Sequence, residues 1–460
     1  MDLRFLNAEP TDAERHAVDA LGAESRDQLL PALHAVNDRV GWISQGALNH
    51  ICRRLNVPPA EAYGVASFYA LFSLKERPPR VIHVCTDLAC QVNGADAVTE
   101  TFDAAGIAWH RSPCLGVCER APAALAVEAG DPAAQRPLAP ARPGEITREP
   151  STWEEGPVSV PQHGEPGLRL LRRVGVVEPG SLDAYRAAGG YAALRNALLL
   201  GPARVIREVT DSGLMGRGGA AFPTGRKWDA AARQPERTRY LVCNADESEP
   251  GTFKDRVLIE GDPFALVEAM TIAAFAIGAQ KGYVYLRGEY PRALRMLRNA
   301  IETARERGFL GENILGRQGF SFDIEIRRGA GAYICGEETA IFNSIEGYRG
   351  EPRTKPPFPV EKGLFGKPTV VNNVETLVNI PLILTEGCEA YRRIGTERST
   401  GPKLFCLSGN VRRPGVYEVP FGTTLGELLE LAGGVPEGRE LRAVLLGGAA
   451  GGFVRPDETA

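Results

Sequence analysis

The chain has 460 residues, enough for about three domains, and its 53 basic and 57 acidic residues leave a formal net charge of −4. That balance excludes a general nucleic-acid binder and a polybasic membrane anchor, though not a local basic site. The N-terminus, MDLRFLNAEPTDAERHAVDA, has no apolar core and no secretory cleavage pattern, and nine cysteines without such a signal point to a reducing compartment that keeps thiolates for chemistry. The expectation is a soluble, cytoplasmic chain, free or as a peripheral part of a membrane-associated complex.

Residues 1–130 read as a helical segment followed by a small α/β unit. TDAE at 11–14 is a capping box, and SRDQLLPALHAVNDRV and SQGALNHICRRLN carry apolar residues at helical spacing. RVIHVC predicts a strand, GADAVTETFDAAG a helix, and IAWHR and AALAV two further strands. Residues 131–167 are dense in proline and poor in large apolar groups, which predicts a semi-extended linker with no core.

From 168 to 392 strands and helices alternate. Strands at 239–243, 282–286 and 322–328 each precede a helix, the order of a mostly parallel, doubly wound sheet whose ligands bind at the C-terminal strand ends. The apolar run Phe264–Ala279 is too short to cross a bilayer and carries Glu268, so it reads as a core helix. Residues 393–460 resemble a small β-grasp unit with one helix and no convincing closing strand, and no internal repeat is present.

Cys85, Cys90, Cys114 and Cys118 form a C-x4-C pair and a C-x3-C pair separated by 23 residues, each pair just after a predicted strand. Two pairs of soft thiolates suit a tetrahedral zinc or a [2Fe–2S] cluster; four ordinary buried cysteines are the plainer alternative. HAVNDRVGWIS, YGVASFYALF, VCTDLAC and CLGVC resemble the thioredoxin-like [2Fe–2S] ferredoxin subunit of the NADH-oxidising module of complex I and of related formate dehydrogenases and hydrogenases. That resemblance implies that the four cysteines are cluster ligands. The interval between the two pairs is shorter here than in that family.

The stretch GLMGRGGAAFPTGRKW (213–228) holds glycines that let backbone approach a ligand, with basic residues beside them. By itself Gly216-Arg-Gly-Gly-Ala-Ala only imitates the dinucleotide fingerprint, because a helix rather than a strand precedes it. NADESEPGTFKDR puts carboxylates at a strand end, where they can accept hydrogen bonds from ribose or ribityl hydroxyls. RRGAGAYICGEETAIF carries a strand through glycines to a helix N-terminus, a site suited to phosphate. These segments, with GYRGEPRTKPPFP and PTVVNNVET, closely resemble the FMN- and NADH-binding subunit of the same module.

The resemblance implies a Rossmann-like domain whose FMN site involves Gly216, Arg217, Gly218, Gly219, Lys227, Asn244, Asp246, Glu247, Tyr333, Gly336, Glu337, Asn372, Asn373 and Thr376. It implies an NADH site with Gly219, Phe222, Glu249, Glu338, Lys355 and Phe358. Ala221 replaces the glycine usual in GGAGF, and DAAA stands where the family has an aromatic after the Lys-Trp pair. Flavin couples hydride donation by NADH to one-electron clusters, and positioning carries the hydride step, so no catalytic residue is assigned. The family continues into a helical domain with a C-x2-C-x2-C motif for a [4Fe–4S] cluster; this sequence lacks that motif. The implied activity is that of an NADH-oxidising subunit partnered with a formate dehydrogenase, hydrogenase or complex I. The competing reading is a non-catalytic zinc and nucleotide-binding assembly module.

Overall fold

The structure is a computed structural model that describes residues 7–146, 149–153 and 155–459. The first six residues of the N-terminal segment, residues 147, 148 and 154 of the proline-dense stretch, and the last residue lie outside the described residues. The chain divides into two compact units. One comprises Met1–Gly156, Leu286–Pro291 and Arg327–Thr354; the other comprises Pro157–Tyr285, Arg292–Ile326 and Lys355–Ala460.

In the first unit the capping box forms as expected. The Glu14 N–H donates to Thr11 Oγ1 at 3.3 Å and the Thr11 N–H to the Glu14 carboxylate at 2.7 Å, starting helix Asp12–Asp19. Helices Leu29–Val40, Gln45–Leu55 and Pro59–Ala66 follow. The first two of these end on left-handed residues, Gly41 and Asn56.

The sheet contains β1 (Arg80–Cys85), β2 (Trp109–Ser112), β3 (Ala124–Glu128) and β4 (Ala134–Leu138), in the order β2-β1-β3-β4. Strand β1 runs parallel to β2 and antiparallel to β3, and β3 is antiparallel to β4. Alternate residues serve opposite faces. Ile82, Val84, Ala124 and Ala126 pack with Val98 and Phe102 of helix Ala95–Ala105, whereas Cys85, Leu125 and Val127 pack with Leu115 and Val117.

The proline-dense stretch departs from the expected linker. Residues 134–138 form edge strand β4, and Leu138, Ala141, Ile146 and Trp153 are buried in the core of this unit. Pro137 lies opposite Leu125, and the edge position tolerates it because one side of an edge strand needs no N–H donor.

In the second unit β5 (Tyr240–Ala245), β6 (Lys281–Leu286), β7 (Asp323–Arg328) and β8 (Thr369–Asn373) form one sheet in the order β7-β6-β5-β8, with the last two residues of β7 and the last of β6 assigned to the first unit. Strands β5 and β8 pair in parallel; β8 is an addition to the strands expected from the sequence. Helix Pro263–Ile277 is buried along its whole length, starting on Pro263 and ending at left-handed Gly278. The only carboxylate in this helix, Glu268, is 1 % exposed and accepts the N–H groups of Tyr191 and Leu194 at 2.8 and 2.9 Å, together with the Tyr185 hydroxyl.

The C-terminal part contains the antiparallel pair β9 (Pro402–Leu407) and β10 (Gly415–Pro420), helix Leu425–Leu431, and the short antiparallel pair β11 (Val444–Leu446) and β12 (Gly452–Val454). Tyr417, Val419, Leu428 and Ala432 form its core. Strand β10 also holds the end of the proline-dense stretch. The Val416 N–H donates to the Ser159 carbonyl at 3.0 Å, and buried Glu418 accepts the backbone N–H groups of Arg169, Leu170 and Leu171. No helix among the described residues is long and apolar enough to cross a membrane.

Glu268→Ala leaves two core N–H groups and a phenol without their acceptor, at ~1–3 kcal/mol for each orphaned donor. The expected outcome is a loss of ~3 kcal/mol or more, read as a lower melting temperature by differential scanning fluorimetry. An unchanged melting temperature would show that this carboxylate does not hold the helices together.

Candidate functional site

The four predicted cysteine ligands meet in the first unit. Cys85 ends β1, Cys90 sits in helix Leu88–Val92, and Cys114 and Cys118 bracket the turn that follows β2. All four are buried, at 1–4 % exposure. Cys114 Sγ lies 3.3 Å from Cys118 Sγ, and the Cys90 and Cys114 thiols act electrostatically on Cys85. Contacts with Cys118 and Cys85 hold the Cys114 thiol below its ordinary range, with the Arg287 guanidinium adding to the effect; its neighbours Cys114 and Cys90 push Cys85 the other way.

No three or more His, Cys, Asp or Glu side chains among the described residues are gathered as a ready metal cage. The thiols form a chain of neighbours instead. As a donor set, four buried thiols in two pairs fit a [2Fe–2S] cluster, which takes two thiolates on each iron.

The glycine loop in the second unit follows helix Pro202–Asp211 and leads into helix Thr224–Ala232. A helix therefore precedes it, as the sequence indicated. The loop closes on itself through the Gly216 N–H, which donates to the Phe222 carbonyl at 2.9 Å. The Arg217 N–H donates to Thr376 Oγ1 at 2.8 Å, and a Cβ on Gly218 would sit 3.1 Å from Asn373 Cβ. Gly219 has φ +112°, and beyond its own chain neighbours no heavy atom lies within 4 Å of where its Cβ would be. That vacant, side-chain-free backbone, with Phe222 about half exposed and Lys227 Nζ 5.8 Å from its ring, fits the close approach of a flavin.

Beside the loop lies a polar cluster, part of it buried. Asn372 Oδ1 accepts the Trp228 indole N–H at 2.9 Å. Asn373 caps helix Val374–Glu386, accepts from Lys254 at 3.3 Å and donates to Asp255. Asn244 and Asp246 sit at the end of β5, the Asp246 N–H donating to Asn244 Oδ1 at 3.1 Å. Sequence reasoning missed Lys254, Asp255, Glu375 and Lys403, which connect these elements; Lys254 pairs with Asp255 at 2.7 Å and with Glu375 at 3.1 Å. For Lys254, Asp255 and Glu375 the signal was the density of charge within two motifs that also contained predicted ligands; Lys403 lies outside both motifs.

Three expected ligand side chains make hydrogen bonds within the chain itself. The Arg217 guanidinium donates to the Thr400 carbonyl at 2.7 Å and lies 4.6 Å from the Phe421 ring centre. Glu247 is buried and accepts from Thr252, from the Asp255 N–H and from the Arg256 N–H, each at 3.0 Å, so it anchors the start of helix Lys254–Gly261. Burial, with the Asp255 charge beside it, pushes Glu247 up to about 7. Glu249 accepts the Ala449 N–H at 2.7 Å.

Lys355 and Phe358 are exposed, Phe358 preceding the short helix Pro359–Lys362. Tyr333, Gly336, Glu337 and Glu338 belong to the first unit. There Tyr333–Gly336 is a single 3-10 turn, and Glu337 caps helix Glu338–Ile345 by accepting the N–H groups of Thr339 and Ala340.

Residues 209–382 match the Nuo51 FMN-binding domain, residues 15–130 the thioredoxin-like [2Fe-2S] ferredoxin, and residues 404–455 the SLBB domain. The chain is 55% identical over 279 residues to an NADH-quinone oxidoreductase subunit of Aquifex aeolicus, covering 60% of this chain and 65% of that protein. It is 51% identical over 287 residues to the NADP-reducing hydrogenase subunit HndC of Solidesulfovibrio fructosivorans, covering 62% and 58%. To the alpha subunit of the NAD-reducing hydrogenase HoxS of Cupriavidus necator it is 38% identical over 446 residues, 93% of this chain and 72% of that protein. The crystal structure of an NAD+-reducing [NiFe]-hydrogenase in the H2-reduced state matches with a TM-score of 0.79 at 34% identity, over 95% of this chain and 74% of that one. The chain thus spans less than two thirds of the first two of these relatives.

Ala221 has φ +51°, a left-handed conformation in which a Cβ is costly. This is a physical reason for the glycine usual at that place. Ala221→Gly is expected to raise stability by up to ~1 kcal/mol, and Ala221→Val to lower it by ~1–2 kcal/mol. Melting temperatures of both variants check this; a lower value for the glycine variant would remove the strain from the loop.

Proposed function

The chain belongs to the family that includes NADH-quinone oxidoreductase subunits and the NAD-reducing hydrogenase alpha subunit, and from that premise we propose that it is an NADH-oxidising electron-input subunit of a redox complex. The observation that carries the reading is the pairing, in one chain, of a four-thiol cluster site with a glycine loop open at Gly219. FMN, when bound, accepts two electrons as hydride and passes them on singly to an iron–sulfur centre. The chain's own residues bind and orient. The backbone of Gly216, Gly218 and Gly219 makes room for the flavin, Lys227 supplies a cation beside it, and Phe222 offers a ring face to the nicotinamide nucleotide. Asn244, Asp246, Asn372, Asn373 and Thr376 supply hydrogen bonds, directly or by fixing the loop.

In module terms the reading assigns the cluster to residues 1–130 and FMN with NADH to 168–392. The β-grasp unit is 393–460, joined through 131–167. The proposed setting is cytoplasmic, within a complex of the hydrogenase, formate dehydrogenase or complex I type. Support comes from the activities for which the relatives are named and from the absence, among the described residues, of a helix able to cross a membrane.

Anaerobic NADH should bleach the flavin absorbance of the purified chain, and a zinc-bound assembly module would show neither that absorbance nor its loss. Cys114→Ser should remove the [2Fe–2S] signal while NADH-driven reduction of an artificial dye persists. A full cluster spectrum in that variant would overturn the ligand assignment.

Coenzyme choice follows from charge. Glu249, held in place by the Ala449 N–H at 2.7 Å, opposes the extra phosphate of NADPH by ~1–3 kcal/mol after screening, or about ten- to a hundredfold in kcat/KM. Glu249→Gln should narrow the NADH-to-NADPH ratio of kcat/KM; an unchanged ratio would take Glu249 out of coenzyme selection. The relatives do not decide the matter, since one is named for NADP and another for NAD.

A further inference from the structure

We propose that Arg287 sets the reduction potential of the cluster held by Cys85, Cys90, Cys114 and Cys118, as a buried cation brought onto the ligand loop by a segment far away in sequence. The proposal rests on the [2Fe–2S] reading of the four thiols. Strand β6 ends at Leu286, and the next five residues, RGEYP, belong to the same compact unit as the cysteine loops.

Arg287 is 2 % exposed, and its Nη2 donates to the Cys114 carbonyl at 2.6 Å and to the Glu289 carboxylate at 3.0 Å. Its guanidinium lies 4.9 Å from the ring centre of Tyr290. That ring in turn presses on the ligand loop, because a Cβ on Gly116 would sit 2.3 Å from Tyr290 Oη. Gly116 is therefore required twice, for its φ of +68° and for this close approach. Loop and segment interlock, which fixes the guanidinium at the backbone of a ligand cysteine.

Reduction adds one electron to the cluster and makes it one unit more negative, with no bond made or broken. A cation held nearby in a low-dielectric setting stabilises the reduced form more than the oxidised form, and so raises the potential. Glu289 is also buried, and its contact at 3.0 Å is with the guanidinium rather than with the ligand loop. The guanidinium is the member of the pair bonded to the ligand loop, so on this proposal its charge outweighs that of Glu289 at the cluster. The other buried carboxylate beside the ligands, Glu119, pairs with Arg120 at 3.3 Å.

The test is a potentiometric titration of the full-length holoprotein with dithionite as the electron donor, followed by EPR of the reduced cluster. Arg287→Gln is expected to lower the midpoint by at least 59 mV, a tenfold loss in the one-electron equilibrium. Arg287→Lys keeps the charge and should stay near wild type. Glu289→Gln removes the opposing charge and should raise the midpoint.

An arginine that merely staples the segment would give a different pattern: both glutamine variants lower the melting temperature, and their midpoints stay put or move in the same direction. Either midpoint result overturns the proposal. Absence of any [2Fe–2S] signal in the wild-type holoprotein would instead overturn the cluster reading on which it rests. If Arg287→Gln fails to fold, the upward shift in Glu289→Gln still decides the matter.

Discussion

Buried charge is the constraint around which the second unit is arranged. Lys254, Asp255 and Glu375 are buried, and each is costly there unless it is paired. Although burial works against its charge, Asp255 and Glu375 hold Lys254 above the usual lysine range. Glu375 is kept ionised by Lys254 and by Lys403, which reaches it at 2.7 Å, and it also accepts the Leu404 N–H at 2.9 Å. One carboxylate thus ties helix Val374–Glu386 to helix Lys254–Gly261 and to β9. Asn373, which joins this network through Lys254 and Asp255, is also the residue against which Gly218 packs. Removing one partner would leave an uncompensated charge, so the network holds the glycine loop in register with β8.

The glycine loop shows how backbone conformation and ligand space are separate requirements. Gly218 is constrained from inside the protein, where a Cβ would crowd Asn373 at 3.1 Å, and Gly219 from its own φ with open space beyond. Ala221 holds a left-handed conformation without being glycine, so the loop retains its shape at some cost in strain. Arg217, the most conspicuous side chain of the motif, is used inward, bridging the loop to residues 400–402. Positive charge in a glycine-rich motif is therefore not by itself a phosphate contact.

The cluster loops follow a similar logic with different chemistry. The loop carrying Cys114 is brought beside Cys85 because β1 and β2 run parallel and end side by side, with Cys85 opposite Ser112 in the register. The short interval between the two cysteine pairs is accommodated by helix Ala95–Ala105, whose Val98 and Phe102 pack on the sheet face away from the thiols.

By itself the sequence determined what depends on local chemistry. The capping box at Thr11, the strand–helix alternation after residue 239, the core helix containing Glu268 and the two cysteine pairs are all written in spacing and residue type over a few turns. Of the residues named from motifs, those of the glycine loop lie against Asn373 and Thr376. What the sequence could not decide is which way a polar side chain turns. Glu247 and Arg217 are engaged by the chain itself, and Glu337 caps the helix that follows it, because the groups that meet them lie up to 185 residues away or in the backbone of the following turn. The proline-dense stretch departs from expectation for the same reason. Its composition forbids a self-contained core, but an edge position beside β3 and the N–H groups of β10 come from elsewhere in the chain. Local pattern fixes elements and donor types; only the folded chain fixes which donor meets which acceptor, since a buried polar group is satisfied by whatever tertiary packing brings within about 3 Å.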